Sequence, residues 1–333
     1  MRIDALWGRR ALLAAGAIAL LCVPLLHLSD YTMRIATMTC VYVVAAAGWT
    51  LIGGYANQIT LGQATMFGIG AYVSTMLFVH FHLSPWIGGP LGAIAAALAA
   101  AVIGFLVFRL WGAYFALVTL ALAEMVRILV EYAQPITGGP QGISVPFVRN
   151  SLWLLQFPEA KDYYEIAALL VILALALARG VQYSPLGYRL RAIRDDEVAA
   201  KLAGINVFRT KMIAFMLGAV LSALAGTLYA QITGFVDPDS VLSITLSVQL
   251  ALYAIIGGAQ VWWGPLAGAA LLVPLGQAMT GSGSAAGAGL AKIVYGLLLV
   301  AIVVIQPLGI AGFVKDLRFR RRKPAAPSQA VSP

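Results

Sequence analysis

The sequence predicts an all-α protein that crosses a membrane many times. Hydrophobic residues make up 61% of its 333 positions and charged residues only 11%, whereas charged residues are roughly a quarter of a soluble globular domain. The apolar residues fall in runs of about 20, the length that crosses the roughly 30 Å core of a bilayer as a helix. The basic residues, which give a formal net charge of +9, gather in loops on one side of these runs. We therefore expect this charge to set the topology rather than to bind nucleic acid.

Ten apolar runs satisfy the length rule. The first follows Arg2, Arg9 and Arg10, and no clear small-residue cleavage site comes after it, so we expect a retained helix with a cytoplasmic N-terminus. Ten spans then return the C-terminus to the cytoplasm. The runs cover residues 11–28, 33–53, 61–80, 86–108, 112–131, 162–180, 212–233, 243–261, 264–280 and 290–310.

The Lys and Arg residues support this orientation, because basic segments resist translocation. All 22 of them lie on the predicted cytoplasmic side except Arg34, Arg127, Arg149, Lys161 and Lys292. We expect one transmembrane domain over residues 1–314, in contact with membrane lipid. Residues 315–333 form a basic and then Pro-, Ala- and Ser-rich tail, a composition typical of disorder.

A polar segment at residues 179–211 interrupts the apolar runs and contains seven basic residues. Pro185, suited to a first helical position, predicts the start of a short helix with an apolar stripe at spacing i, i+4 and i+7. Asp195 or Asp196 can cap a second helix, which Gly204 would end. From these residues alone two interpretations stay open: a basic loop against anionic lipid, and a docking site for a cytosolic partner.

Amide side chains inside or beside the spans are candidates for a translocation pathway. Asn57, Gln58 and Gln63 fall in a glycine-rich stretch at a span boundary, and Gln249 lies within the eighth span. Polar groups at membrane depth are tolerated only where they line a cavity or are buried in protein. We therefore expect these amides to line the pathway, while close helix packing is the alternative role of the surrounding stretch.

Glu124 and Arg127 stand three residues apart within the fifth span. An isolated charge near the centre of a spanning helix costs roughly 2.5–3.5 kcal/mol, so each of these residues needs a partner. Their spacing places the two side chains on one helical face, which predicts an intramembrane ion pair. Contact with a substrate and a proton relay are the alternative roles.

Two pairs of similar motifs point to an internal repeat. Tyr-Ala-Asn-Gln-Ile-Thr at 55–60 resembles Tyr-Ala-Gln-Ile-Thr at 229–233, and Gly-Pro-Leu-Gly-Ala at 89–93 resembles Gly-Pro-Leu-Ala-Gly-Ala at 264–269. Both pairs are five spans apart, and an odd offset predicts two inverted five-helix halves. Chance recurrence of small apolar residues is the other interpretation.

Several motifs, taken in order, resemble the permeases of ABC importers of the branched-chain amino-acid type, the LivM-like family. They include Gly-Tyr-Ala-Asn-Gln-Ile-Thr-Leu-Gly at 54–62, Thr-Gly-Gly-Pro-Gln-Gly at 137–142 and Leu-Gly-Tyr-Arg at 186–189. Ala-Ile-Arg-Asp-Asp-Glu at 192–197 is similar to part of that family's cytoplasmic coupling loop. Gln63 stands where such permeases often have His.

The resemblance implies a permease subunit in a bacterial inner membrane that imports branched-chain amino acids or related small solutes. It also implies a second homologous permease, two cytosolic ATPases that bind Mg-ATP, and a periplasmic solute-binding protein, with no cofactor in this chain. The resemblance places the coupling loop at residues 181–211. Within that loop it assigns the coupling to the ATPase to Arg194, Asp195, Glu197, Ala200 and Gly204.

The sequence itself excludes some chemistry. It contains no phosphate-binding Gly-x-x-x-x-Gly-Lys loop, no metal-ligand cluster and no nucleophile with a histidine at a credible spacing. The chain is therefore not expected to hydrolyse ATP by itself. The competing hypothesis is a secondary transporter or channel that works without an ATPase and uses Glu124 and Arg127 for ion coupling.

Overall fold

The computed structural model describes residues 29–110, 112–148, 150–280 and 309–312, together with residues 20, 24, 296 and 297. Within these residues the chain is predominantly helical, which confirms the predicted class of an all-α, multi-pass membrane protein. The predicted spans at 11–28 and 290–310 fall almost wholly outside the described residues. The predicted tail at 315–333 falls outside them as well.

The long helices follow the predicted apolar runs, and shorter helices lie between them. In chain order they are α1 (Asp30–Trp49, continued by a π-helical turn at Thr50–Gly54), α2 (Gln63–Phe81), α3 (Pro85–Val107), α4 (Ala113–Tyr132), α5 (Gln134–Thr137), α6 (Ala160–Tyr183), α7 (Pro185–Asp195), α8 (Glu197–Leu202), α9 (Val207–Thr233), α10 (Pro238–Val241), α11 (Ile244–Gly257) and α12 (Gly264–Thr280).

Six segments of the described chain are long and apolar enough to cross a membrane. They are Asp30–Gly54, α2, α3, α6, α9 and the α10–α11 segment Pro238–Gly257. Each coincides with a predicted span. The fifth predicted span corresponds to the 20 residues of α4, and the ninth to the shorter α12.

Local sequence explains where several helices begin. The hydroxyl of Ser29 accepts a hydrogen bond from the backbone N–H of Thr32 and so caps α1. The hydroxyl of Ser84 caps α3 in the same way, directly before Pro85. Proline suits this position, because its missing N–H would have had no partner within the helix.

α9 is the central helix of the bundle and packs along α1, α2 and α3. A Cβ atom built on Gly226 would lie 1.9 Å from the carbonyl oxygen of Phe67 in α2. One built on Gly218 would lie 2.5 Å from the carbonyl oxygen of Gly48 in α1. No side chain fits at these distances, so glycine sets the separation of the helices, as is common in membrane bundles.

The two ends of α9 carry different structures. Its first turn follows the α7–α8 unit, which we define as residues 184–206. Its last turn leads into β2 (Phe235–Val236), which pairs antiparallel with β1 (Ile143–Ser144) and holds the 133–159 segment against the bundle. The 27 residues of α9 separate these ends, which corresponds to about 40 Å of helix.

The close contact at Gly226 gives a stability prediction. We expect Gly226→Ala to destabilise the protein by about 1–3 kcal/mol, because α2 has to move away from α9 to admit the methyl group. The matched control is Gly180→Ala in α6, where a Cβ meets nothing within 4 Å. The unfolding midpoint of each purified variant in detergent measures the effect, and equal midpoints for the two variants would contradict the packing described.

Candidate functional site

The α7–α8 unit is built from local capping interactions. The hydroxyl of Ser184 accepts a hydrogen bond from the N–H of Gly187 and begins α7, with Pro185 in its first turn. The carboxylate of Asp196 accepts from Val198 N at 2.8 Å and from Ala199 N at 3.0 Å, and so begins α8. The sequence left Asp195 and Asp196 open as caps, and the structure selects Asp196.

The end of α8 requires glycine. The N–H of Gly204 donates to the carbonyl of Lys201, and the N–H of Ile205 donates to the carbonyl of Ala200, each at 3.0 Å. This pair of bonds forms a Schellman motif, whose glycine adopts a left-handed backbone, here with φ +82°. A Cβ on Gly204 would meet nothing within 4 Å. The residue is therefore required for its conformation and not for space.

A small apolar cluster holds α7, α8 and the start of α9 together. It consists of the buried side chains of Ile193, Ala200 and Val207. Val198 and Leu202 instead point away from this cluster and are 53% and 86% exposed. The unit therefore presents an apolar face on α8 that nothing in the described part of the chain covers.

An ion pair joins α8 to α9. The ammonium group of Lys211, whose side chain is only 2% exposed, lies 2.6 Å from Glu197 Oε2. Lys201, an exposed residue, lies 3.1 Å from the other carboxylate oxygen of Glu197. Burial alone would raise the pKa of Glu197, but hydrogen bonds and charge from Lys211 and Lys201 outweigh it and hold that pKa below its ordinary value.

A second set of contacts joins α6 to the turn between α11 and α12. The side chain of Gln182 donates to the carbonyl of Gln260 at 3.3 Å and accepts from the N–H of Trp262 at 3.0 Å. The guanidinium of Arg179 lies 5.4 Å from the centre of the Trp262 ring, a cation–π distance. The start of the α7–α8 unit is thereby attached to the second half of the chain.

The structure brings Glu124 and Arg127 together. Arg127 lies 2.5 Å from Glu124 Oε1 and 3.0 Å from Asp239 in α10, and it also contacts Glu131 one turn further along α4. The guanidinium of Arg127 therefore forms ion pairs with three carboxylates. It fastens α4 to the segment before α11.

The predicted pathway amides lie in different surroundings. Gln63 is buried, and its Nε2 donates to Ser222 Oγ at 2.5 Å and to the carbonyl of Gly218 at 3.4 Å, both in α9. Asn57 is exposed in a left-handed backbone conformation, φ +55°, just after the π-helical turn. Gln58 beside it and Gln249 in α11 are half-buried.

Sequence reasoning did not find several of these contacts. Lys211 is a basic residue at a predicted span boundary, and its role shows only once α8 is seen to turn Glu197 back towards α9. Asp239 lies 112 residues from Arg127, and Gln182 lies 80 residues from Trp262. Pairings at such separations leave no local pattern in a sequence.

Residues 31–303 match a family model described as the branched-chain amino acid transport system permease component. The chain belongs to this family. It is 31% identical to the high-affinity branched-chain amino acid transport system permease protein LivM of Salmonella typhimurium, over 84% of this chain and 69% of that protein. It is also 26% identical to the permease protein LivH of the same organism, over 83% of this chain and 92% of LivH.

A shorter similarity extends to another transport permease. The xylose transport system permease protein XylH of Escherichia coli is 30% identical over 105 residues, which is 31% of this chain and 25% of XylH. No solved structure matches the chain. The chain thus resembles two distinct permeases, LivM and LivH, whose names give the same transport system.

The Glu197 ion pair predicts a pH dependence. Because the folded protein holds the pKa of Glu197 below its ordinary value, the pair stabilises the protein above the unfolded pKa of about 4.3 and is lost as the pH falls through the folded value. We expect Glu197→Gln to cost about 1–3 kcal/mol near pH 7, with a difference from wild type that stays nearly constant down to about pH 5 and shrinks below the unfolded pKa of about 4.3.

Unfolding midpoints between pH 7 and about pH 2.5 measure this dependence, because the loss lies below the unfolded pKa of about 4.3. Asp195→Asn is the matched control, because the side chain of Asp195 is 71% exposed and pairs with the adjacent Arg194. It should change the midpoint little at any pH. A Glu197→Gln deficit that stays constant over the whole range would show that the charge of Glu197 does not stabilise the fold.

Proposed function

We propose that the protein is a permease subunit of an ATP-driven importer for branched-chain amino acids or related small solutes. Its family membership and the names of its relatives support this function. The structural observation that carries the proposal is the α7–α8 unit. It is a folded two-helix unit that the Glu197–Lys211 ion pair attaches to α9, and it leaves the side chains of Val198 and Leu202 exposed.

The proposed mechanism transmits motion through rigid parts. Closure of two cytosolic ATPases on Mg-ATP would move the α7–α8 unit as a body. The Glu197–Lys211 pair passes that movement to α9, which is in close backbone contact with α1 and α2. Gln182 and Arg179 pass it to the turn before α12. The spans would then exchange inward-open and outward-open arrangements.

The proposed coupling residues divide into two groups. Glu197, Ala200 and Gly204 shape the unit from within, through the ion pair, the apolar cluster and the Schellman motif. Arg194 and Asp195 pair with each other on its surface, where a partner can reach them. The surface that meets the ATPase is therefore the exposed face of α8 together with this pair.

The proposed assembly follows the family pattern. This chain would pair with a second homologous permease, receive solute from a periplasmic solute-binding protein and carry no cofactor of its own. It would have ten spans over residues 1–314, arranged as two inverted halves, with both termini and the tail at 315–333 in the cytoplasm. Asn57, Gln58, Gln63 and Gln249 would contribute to the pathway, with the Ser222 contact of Gln63 linking the pathway to α9.

The Arg127 cluster favours a second candidate function, an ion-gradient-driven transporter that works alone. Its guanidinium pairs with Glu124, Glu131 and Asp239, and ionisable residues within spans mark ion pathways and proton relays. This candidate needs no ATPase. Its transport would be expected to persist after changes to the α8 surface.

The exposed face of α8 gives the test. We expect Leu202→Arg to abolish co-purification of the ATPase with this permease, because a charge would be placed in the apolar contact, while the permease itself stays folded. The matched control is Leu152→Arg, at an exposed leucine (68%) in the 133–159 segment at the other end of the bundle. Co-expression with the neighbouring permease and ATPase genes, followed by purification from membranes, measures retention.

Retention of the ATPase by Leu202→Arg at the wild-type level would contradict the docking surface. If wild type itself retains no ATPase and moves solute down an ion gradient alone, the second candidate function is correct. Glu197→Lys is unsuitable as a docking variant, because it places a second cation beside the buried Lys211 and would destabilise the fold.

A further inference from the structure

A cavity of about 200 Å³ lies at the end of the bundle away from the α7–α8 unit. The first turns of α1, the segment before α6, and the last turn of α9 form its walls. It is smaller than the roughly 300–1,000 Å³ of pockets for drug-sized ligands, so it suits a small solute.

Gln231 in α9 lines this cavity and carries the strongest indication of a ligand. Its side chain is buried, with only 4% of the residue exposed, and neither its Nε2 nor its Oε1 has a hydrogen-bond partner among the described residues. Buried amides are almost always hydrogen-bonded, because burial without a partner is unfavourable. A donor and an acceptor are therefore left unsatisfied within the wall of the cavity.

Two charges of opposite sign stand at the same cavity. Arg34 reaches it from α1 and Glu159 from the residue before α6. Both side chains are exposed, and neither forms an ion pair within the described part of the chain. A solute that carries an anion and a cation can therefore meet both without displacing an ion-pair partner among the described residues.

The rest of the wall is fixed in place. Gln156 donates to the carbonyl of Pro146 at 2.7 Å and accepts from Val148 N at 2.9 Å, and these bonds join two parts of the loop that lines the cavity. The hydroxyl of Tyr163 accepts from Phe157 N at 3.2 Å and is itself a donor. The site is thus a polar pocket with an apolar side, since Phe147 and Ile232 also line it.

We propose that this cavity binds a zwitterionic α-amino acid. Arg34 takes its carboxylate, Glu159 takes its ammonium group, and the amide of Gln231 bonds to the same polar end, while the apolar side accepts an aliphatic side chain. The proposal rests on the proposed transport function and adds to it a binding step within the permease itself. α9 then joins the solute site at one end to the coupling unit at the other.

The test uses the purified full chain with L-leucine at millimolar concentration as the probe. We expect saturable binding and an upward shift of the unfolding midpoint in wild type. Gln231→Leu should weaken binding about tenfold or more, while its midpoint without leucine stays equal or rises, because two unpaired buried atoms are removed. Arg34→Ala and Glu159→Ala should also weaken binding, and Lys161→Ala, whose residue does not line the cavity, should not.

Two leucine analogues test the contributions of the ammonium group and the carboxylate to binding separately. 4-Methylpentanoate lacks the ammonium group and 3-methylbutylamine lacks the carboxylate, and each should bind about tenfold more weakly than leucine or worse. The proposal is overturned if leucine does not bind, if Gln231→Leu binds it as wild type does, or if both analogues bind as well as leucine. ATPase co-purification without leucine binding refutes this site alone, and leucine binding without ATPase association refutes only the ATP-driven function.

Discussion

A buried ammonium group has to be paired, and this requirement organises the α7–α8 end of the protein. Taking a cation out of water costs several kcal/mol, which a well-placed carboxylate offsets. Lys211 is such a cation, and Glu197 reaches it from α8 at 2.6 Å. α8 cannot move away from α9 without leaving Lys211 unpaired. The cap at Asp196 and the Schellman motif at Gly204 fix the short helix that carries Glu197.

The rigidity of α9 extends this constraint along the bundle. Its glycines bring the backbones of neighbouring helices into direct contact, so a displacement of α9 has to move α1 and α2 as well. The contacts of Gln182 and Arg179 attach the turn between α11 and α12 to the α7–α8 end of the bundle. Under the proposed function, a displacement of the α7–α8 unit is transmitted to both halves of the chain. It extends along α9 to Gln231 near its far end.

The sequence predicted the parts of this structure that obey local rules. Apolar runs of spanning length predicted the spanning helices. Pro185, the pair Asp195 and Asp196, and Gly204 predicted the boundaries of α7 and α8, because capping acts within a few residues, and the structure selects Asp196 of that pair. Contacts between distant segments could not be predicted in this way. The Arg127–Asp239 pair and the cavity at Gln231 exist only after the helices have packed.

The role of Glu197 shows the same division. The sequence places Glu197 in a motif that resembles a coupling loop, and we therefore expected this residue to take part in ATPase coupling. The structure places its carboxylate on Lys211 and Lys201 of the same chain. Under the proposed function, its contribution to coupling is indirect, through the attachment of α8 to α9.

The most direct test of this account measures coupling in the assembled, reconstituted complex with Lys211→Met. We predict that the complex retains its ATPases and hydrolyses ATP, while solute uptake per ATP falls about tenfold or more, because α8 is no longer fastened to α9. Lys201→Met, which removes the exposed partner of the same carboxylate, should leave this ratio near wild type. Wild-type uptake per ATP in Lys211→Met would contradict the claim that this ion pair transmits the motion.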